Sequence, residues 1–263
     1  MERIDDRLLL DPGVRRPGAR IRVGFARGID ERREAQRLRW QVFADELGAR
    51  LPSRERGIDH DFFDPYCEHL VAREDESGAV IGTYRLLSPR AARRLGCYYS
   101  ETQFDLTRLQ ALRDELVEVG RSCIHPAWRN GGVIAALWSA LGRYMRTSGH
   151  RYLAGCASTS MADGGHAAAA LNARLRERHL APVEYQVRAR MPLPIDRLDA
   201  GVVAEMPPLL KGYLRMGAWI GGEPSWDPDF NTADFFILLP VARVEPRYAR
   251  HFFGGPSGQR ANH

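Results

Sequence analysis

Hydrophobic and polar positions change period several times along the chain, and each change marks an element. Leu116-Val117-Glu118-Val119, continuing through Gly120-Arg121-Ser122-Cys123-Ile124, is alternating and β-branched, which predicts a buried strand. His125-Pro126 ends it, because proline pushes its predecessor out of the helical region. Arg129-Asn130-Gly131-Gly132 reads as a turn. Ile134, Leu137, Trp138, Leu141 and Met145 then recur at three- and four-residue spacing, one face of a helix. Upstream, residues 21–26 predict a first strand. Asp30 is placed to cap a helix to about Asp45, with Ala35, Leu38, Val42 and Phe43 on its apolar side. Residues 69–73 and 79–87 predict two strands joined by a hairpin turn at Asp75-Glu76-Ser77-Gly78. Short helices at 91–96 and 106–113 flank segment 97–104, which reads as exposed. Downstream the pattern predicts a strand at 152–157, a helix at 165–178, a strand at 184–189 and a helix at 209–216 opened by Pro207-Pro208. A loop at 217–231 and a last buried strand at 233–239 complete it.

Strands alternating with helices describe a mixed α/β sheet with helices on both faces. The strand, turn and helix at 116–145 place a ligand groove at the end of the central strand. Residues 1–20 read as a loose arm, 21–253 as a single domain with a helical insertion before the last strand, and 254–263 as a disordered tail. The net charge of +5 is modest, and Lys211 is the one lysine among the basic residues. Such an excess reads first as a solvated surface and gives no reason to expect a nucleic acid. Cys67, Cys97, Cys123 and Cys156 form no CxxC pair, so a reducing compartment without disulfides is expected. No apolar run reaches the roughly 20 residues needed to span a bilayer, and no secretory signal opens the chain. The expected location is the cytoplasm, with peripheral contact on the inner face of the membrane left open.

Candidate chemistry starts from charges in apolar surroundings. Glu118 and Arg121 lie within the apolar central strand, where an unpaired charge is costly. Arg39 and Arg85 sit in apolar elements too, and Asp59, Asp61 and Asp64 surround Phe62-Phe63. Taken together they suggest a buried ion-pair network able to orient a catalytic carboxylate; taken alone, the three acids read as a solvated loop. They do not match a calcium loop, and no histidine or cysteine set accompanies them, so no metal is expected. Glu118 and Arg121 are three apart and would face opposite sides of a regular strand. A bulge at Gly120 would return them to one face. Arg129, Asn130, Gly131 and Gly132 at a helix start could meet a phosphate, although neither a Walker loop nor GxGxxG is present. His125 reads as a turn residue, Lys211 as solvated, and Ser122, Ser158 and Ser160 lack a nucleophile elbow.

Several of these residues resemble a known pattern. Leu38-Arg39-Trp40-Gln41-Val42-Phe43, Asp61-Phe62-Phe63-Asp64, His69-Leu70-Val71, Gly82-Thr83-Tyr84-Arg85-Leu86 and Glu118-Val119-Gly120-Arg121 look like the acyl-homoserine-lactone synthases, which have the GNAT fold. EVGRSCIHPAWR, PPLLKGYLRMGAWIGGEPSWDPDFNTADFFILLP and PRYARHFF look like the ornithine N-alpha-acyltransferases of ornithine-lipid synthesis. Together the matches cover most of residues 21–253. The resemblance implies a GNAT-like mixed sheet, a (3-hydroxy)acyl donor carried on acyl carrier protein, an L-ornithine acceptor and a lyso-ornithine lipid product. It implies no cofactor beyond the phosphopantetheine thioester of the donor. Ile134 stands where the usual GNAT turn has a small residue. That departure weakens a coenzyme A reading and suits a carrier whose pantetheine bears one phosphodiester.

The chemistry fits the same residues. N-acylation needs a neutral amine, an oriented thioester and a stabilised oxyanion. Glu118 could accept the amine proton directly or through water. Arg121 could hold Glu118 or the acceptor carboxylate, with Arg39, Asp61, Asp64 and Arg85 as the orienting network and residues 129–132 binding the pantetheine arm. The rival readings are the same chemistry on another amine, as in N-acyl amino acid or acyl-homoserine-lactone synthases, a coenzyme A-dependent acetyltransferase, and a non-catalytic carrier- or lipid-binding protein.

Overall fold

The computed structural model describes residues 20–254. The expected arm and tail lie outside the described residues, apart from their innermost positions. The strands are β1 (Ile21–Phe25), β2 (Glu68–Glu74), β3 (Val80–Leu87), β4 (Phe104–Asp105), β5 (Leu116–Ile124), β6 (Tyr152–Ser160), β7 (Arg188–Ala189), β8 (Trp219–Ile220), β9 (Ser225–Asp227) and β10 (Thr232–Pro240). The helices are α1 (Gly28–Trp40), α2 (Pro89–Leu95), α3 (Gly132–Ser148), α4 (His166–His179), α5 (Pro208–Met216) and a final turn, α6 (Pro246–Tyr248). The main sheet has the order β1-β2-β3-β5-β6-β10-β8, with β9 also on β10, while β4 and β7 form a separate ribbon. Its ladders are antiparallel except β5 with β6. This is the expected mixed sheet, with α4 and α5 before the last long strand.

Alternation along the strands sorts the side chains into two cores. Val117, Val119, Leu153, Phe235 and Ile237 face one way and pack with Val133, Ala136, Leu137 and Leu141 of α3. Leu116, Ala154, Phe236 and Leu238 face the other way and meet Tyr98, Phe104 and Leu109. Segment 97–104, which the sequence suggested was exposed, is therefore part of the second core. Its 3₁₀ turn at Tyr99–Thr102 carries a fully buried Ser100.

Three other elements differ from the sequence pattern. Helix α1 begins at Gly28 with no side-chain cap. Asp30 and Glu31 instead occupy its first turn, where carboxylates favour the positive end of the helix dipole. The helix then widens into a π-helical turn, Gln41–Glu46. Residues 184–189 are a 3₁₀ turn and the two-residue β7, which pairs with β4 outside the main sheet. Segment 217–231, expected as a loop, contains β8 and β9, which pair along the otherwise open edge of β10 and satisfy its backbone groups.

The placement of the site depends on β5. It pairs with β6 only at Leu116↔Tyr152, Val117↔Leu153 and Glu118↔Ala154, after which the two strands run on without pairing each other. At the point of departure their backbones nearly touch, since a Cβ on Gly155 would lie 2.2 Å from the Val119 carbonyl oxygen. Just beyond, Thr83 opposes Cys123 and Arg85 opposes Gly120. Arg121 and Ser122 together therefore face Tyr84, a bulge one residue later than the Gly120 position the sequence suggested. Arg121 itself takes the left-handed conformation, φ 48°, which costs a non-glycine residue roughly 1–3 kcal/mol. The extra residue bends the strand and restores Glu118 and Arg121 to one face. Gly155→Ala should press a methyl group into the Val119 carbonyl and lower stability by about 1–3 kcal/mol. Urea unfolding measures this, and an unchanged midpoint would show that the strands separate there without cost.

Candidate active site

Arg39 is wholly buried on α1. Its Nε donates to Asp59 Oδ2 at 2.7 Å, and its Nη1 and Nη2 donate to the two carboxylate oxygens of Asp64 at 2.8 and 2.9 Å. Nη2 also donates to the Asp59 carbonyl at 2.6 Å. Asp59 and Asp64 are fully buried, so the acids are not the solvated loop they suggest when read alone. Burial opposes the charge of Asp64, but Arg39 and then Arg85 outweigh it and hold the carboxyl well below the usual range. Burial likewise works against Arg39, and Asp59 and Asp64 reverse that effect, raising its pKa.

From this pair the network extends across the sheet. Arg85, on β3, donates through Nη1 to both oxygens of Asp61 at 2.6 and 2.7 Å and lies 3.5 Å from Asp64. Arg121, on β5, donates through Nη2 to Asp61 Oδ2 at 3.2 Å and through Nη1 to the Tyr99 hydroxyl at 3.3 Å. Its guanidinium lies between the Phe230 and Tyr99 rings, 4.5 and 5.0 Å from their centroids. Three arginines thus meet three aspartates. His69 completes the cluster, with Nε2 3.3 Å from the Asp64 carbonyl oxygen. Burial, and then Arg39, pushes His69 down to about 4 against the pull of Asp64.

Glu118 stands apart from the ion pairs, and Arg121 does not hold it. Its Oε2 accepts the Tyr99 backbone N–H at 2.6 Å and its Oε1 accepts that of Ser100 at 2.7 Å. Burial raises its pKa, and these hydrogen bonds only partly offset the rise. A buried carboxylate with a raised pKa, outside any ion pair among the described residues and with only the charge of Arg85 nearby to favour its ionised form, has the properties of a proton acceptor.

Glu118, Gly120, Arg121, Ser122, Cys156 and Ser158 line a cavity of about 230 Å³ where β5 and β6 separate. Tyr84, Val119, Leu209 and Tyr213 line its other end, on the α3 face, and the Tyr84 and Tyr213 hydroxyls are 2.5 Å apart. The cavity therefore passes through the sheet. A second cavity of about 910 Å³ adjoins it, with Phe63, Tyr99, Arg121, Asp227 and Phe230 in the wall of both. Cys156 is held well above the ordinary thiol value, first by burial and then by Asp234, so it is not poised as a thiolate nucleophile.

Arg129, Asn130, Gly131 and Gly132 line neither cavity. They form the exposed entry to α3, where Gly131 is left-handed at the N-cap, Asn130 Oδ1 accepts the Gly132 N–H at 3.3 Å, and Arg129 pairs with Glu46 at 2.5 Å. His125 caps the short turn before them, its Nδ1 accepting the Ala127 N–H, and Lys211 is exposed. The sequence reading did not single out Tyr99, Phe230, Asp227 or Asp234 for the site. For Asp234 a signal was available, since it is an ionisable residue inside an apolar strand just as Glu118 is.

A model of the acetyltransferase (GNAT) domain family matches residues 38–139. The L-ornithine N(alpha)-acyltransferase of Rhodobacter capsulatus is 36% identical over 247 residues, covering 88% of this chain and 93% of the relative. That of Brucella abortus is 34% identical over 235 residues, covering 83% of each. Among solved structures, the AHL synthase LasI superposes with a TM-score of 0.51 at 14% identity, covering 90% of this chain and 95% of that one, a likeness of fold.

The network has a signature in acid. An unfolded histidine takes up its proton near 6.5, whereas folded His69 does so near 4. Between those values the unfolded chain binds more protons, so stability falls as pH drops through the window. The depressed Asp64 contributes stability that is lost only as pH falls below its unfolded value of about 3.9, outside that range. His69→Gln should therefore lose less stability than wild type between pH 7 and pH 5 in urea titrations. Equal losses would mean that His69 is not held neutral.

Proposed function

The chain belongs to the L-ornithine N(alpha)-acyltransferase family, and on that footing we propose that it moves a (3-hydroxy)acyl group from acyl carrier protein to the α-amine of L-ornithine, giving lyso-ornithine lipid. The observation that carries the reading is Glu118, a buried carboxylate in no ion pair among the described residues, in a cavity that crosses the sheet where β5 and β6 separate. The thioester enters from the α3 face between Val119, Tyr84 and Tyr213, and the amine approaches from the Glu118 face. The amine nitrogen attacks the thioester carbonyl carbon, the C–N bond forms, Glu118 takes the amine proton directly or through water, and the C–S bond breaks to release the carrier thiol. Backbone N–H groups left unpaired by the separating strands are the natural donors to the oxyanion. Arg121, held loosely by Asp61 at 3.2 Å and buried by its two rings, is placed to share its charge with the acceptor carboxylate.

The donor assignment rests on the start of α3. The Arg129–Glu46 pair is well exposed and so is worth little, which leaves Arg129 able to exchange Glu46 for the phosphodiester of a carrier's pantetheine. Ile134 crowds the turn against a bulkier pyrophosphate. Exposed Phe62 and the half-exposed Met191 on the wall of the second cavity suit an acylated product leaving toward a membrane surface. No helix among the described residues is long and apolar enough to cross one.

Purified protein given 3-hydroxyacyl carrier protein and L-ornithine should form the N-acylated amino acid, detected by mass spectrometry. Acyl-CoA should support little turnover, and Arg129→Ala should raise the apparent KM for the carrier and make it less sensitive to salt. Equal catalytic efficiency with acyl-CoA would overturn the donor assignment. Glu118→Gln should cost about 10²–10⁴-fold in turnover per folded molecule. It should also lower Tm, because an amide nitrogen then faces a backbone donor and leaves it unsatisfied. A lower Tm with unchanged turnover per folded molecule would make Glu118 purely structural.

A further inference from the structure

The charges around the cavity do not balance. Arg39, Arg85 and Arg121 are matched by Asp59, Asp61 and Asp64. On the same face of the sheet, Asp234 and Asp227 are also buried, each only 4% exposed, and both line the cavity with Glu118. Among the described residues neither forms an ion pair. Asp234 Oδ1 accepts the Thr232 hydroxyl at 3.0 Å. Asp227 Oδ1 accepts the Asp229 and Phe230 backbone N–H groups at 2.9 and 3.1 Å, and its Oδ2 accepts Gln103 Nε2 at 3.1 Å. All these donors are neutral. Burial, and further the charge of Asp227, raises the Asp234 carboxyl to about 6 despite the Ser158 and Thr232 hydroxyls and the charge of Arg121. Two buried carboxylates outside any ion pair are costly, and a cation in the cavity would relieve both.

A cation suited to the other end of a ligand, Arg121, lies in the same wall. The Arg121 side chain is 8% exposed, and its Nε is buried with no hydrogen-bond partner, although the Asp59 carboxylate is 3.3 Å away. The cavity wall therefore holds a guanidinium, a proton-accepting carboxylate and two further carboxylates outside any ion pair among the described residues. An amino acid with a second amine at the end of a short chain matches these three features. The sheet register sets their spacing. Glu118 pairs with Ala154 and Asp234 with Ser158, four residues apart on one face of β6, which puts their backbones roughly 13 Å apart along the strands and roughly 10 Å apart across them, a gap that their side chains narrow from both sides. Cys156 lies between them and feels the charge of both.

We infer that Asp234, backed by Asp227, is the subsite for the side-chain ammonium of the acceptor, and that it restricts the acceptor to amino acids carrying a primary amine at the end of a short side chain. This rests on the acyl transfer proposed above and names the residues that choose its acceptor. With the ammonium at Asp234 and the carboxylate at Arg121, the α-amine is the nitrogen left to face Glu118, so the subsite also decides which of the two amines is acylated.

The test compares L-ornithine with L-norvaline, which has the same carbon chain without the terminal amine, using the acyl carrier donor. The wild-type enzyme should favour ornithine in kcat/KM by about 10²-fold or more, since a site built for a polar group strongly rejects the analogue lacking it. Asp234→Asn, nearly the same shape, should raise KM for ornithine by about 10–100-fold with kcat little changed, and should bring the two acceptors close to parity. Its Tm should hold or rise, because an uncompensated buried charge is gone. Wild type acylating norvaline as efficiently as ornithine would overturn the inference, and so would a folded Asp234→Asn that keeps the preference. If wild type acylates neither acceptor, the proposed function itself fails. The wild-type comparison decides the matter even if the variant does not accumulate.

Discussion

Arg39 has no exposed surface, and a buried guanidinium is tolerable only where carboxylates surround it. Asp59 and Asp64 supply them, and in doing so they fix the chain between α1 and β2 against the face of the sheet. Removing one partner of such a pair typically costs about 3–5 kcal/mol, a large part of the 5–15 kcal/mol that holds a domain together. Asp61 is carried by the same turn, its N–H bonded to Asp64 Oδ2 at 2.8 Å. Through Asp61 the constraint passes to Arg85 and Arg121, and through Arg121 to Tyr99 and Phe230. The rest of the site is built on an ion pair that no substrate need touch.

The second constraint is geometric. A parallel pair held together along its whole length would leave no passage through the sheet. Close approach at Gly155, followed at once by the bulge at Arg121, makes β5 and β6 part after three paired positions. One extra residue thus bends β5 beside the cavity and brings Arg121 to the Glu118 face. The ion pairs to Arg121, with the rings of Tyr99 and Phe230, help to offset the cost of holding it in a left-handed conformation.

The two sides of the cavity differ in kind. On the α3 face it is lined by aliphatic residues and a tyrosine pair, surroundings suited to an apolar chain. On the opposite face carboxylates outnumber the guanidinium charge not already spent on them, the surroundings of a cationic acceptor. That division follows from strand alternation, which gives odd and even positions of β6 and β10 to different cores.

The long elements and the identity of the buried charges were legible in the order of residues along the chain. β-branched alternation defined β5, apolar runs marked β3 and the core of β10, three-and-four spacing defined α3, and Arg39, Arg85, Glu118 and Arg121 declared themselves as charges in apolar surroundings. These are local signals, carried by neighbours in the chain. Only the tertiary structure decided how the charges are shared. Glu118 finds its partners in the amides of Tyr99 and Ser100, from a segment with no apolar period of its own, because a strand cannot satisfy a buried carboxylate locally. The bulge fell at Arg121 instead of Gly120 because the site is set by register against β3 and by the aspartates waiting for the guanidinium. Asp227 and Asp234 came together only when β9 paired with β10, a contact that short strands make through backbone hydrogen bonds and that leaves almost no trace in side-chain pattern.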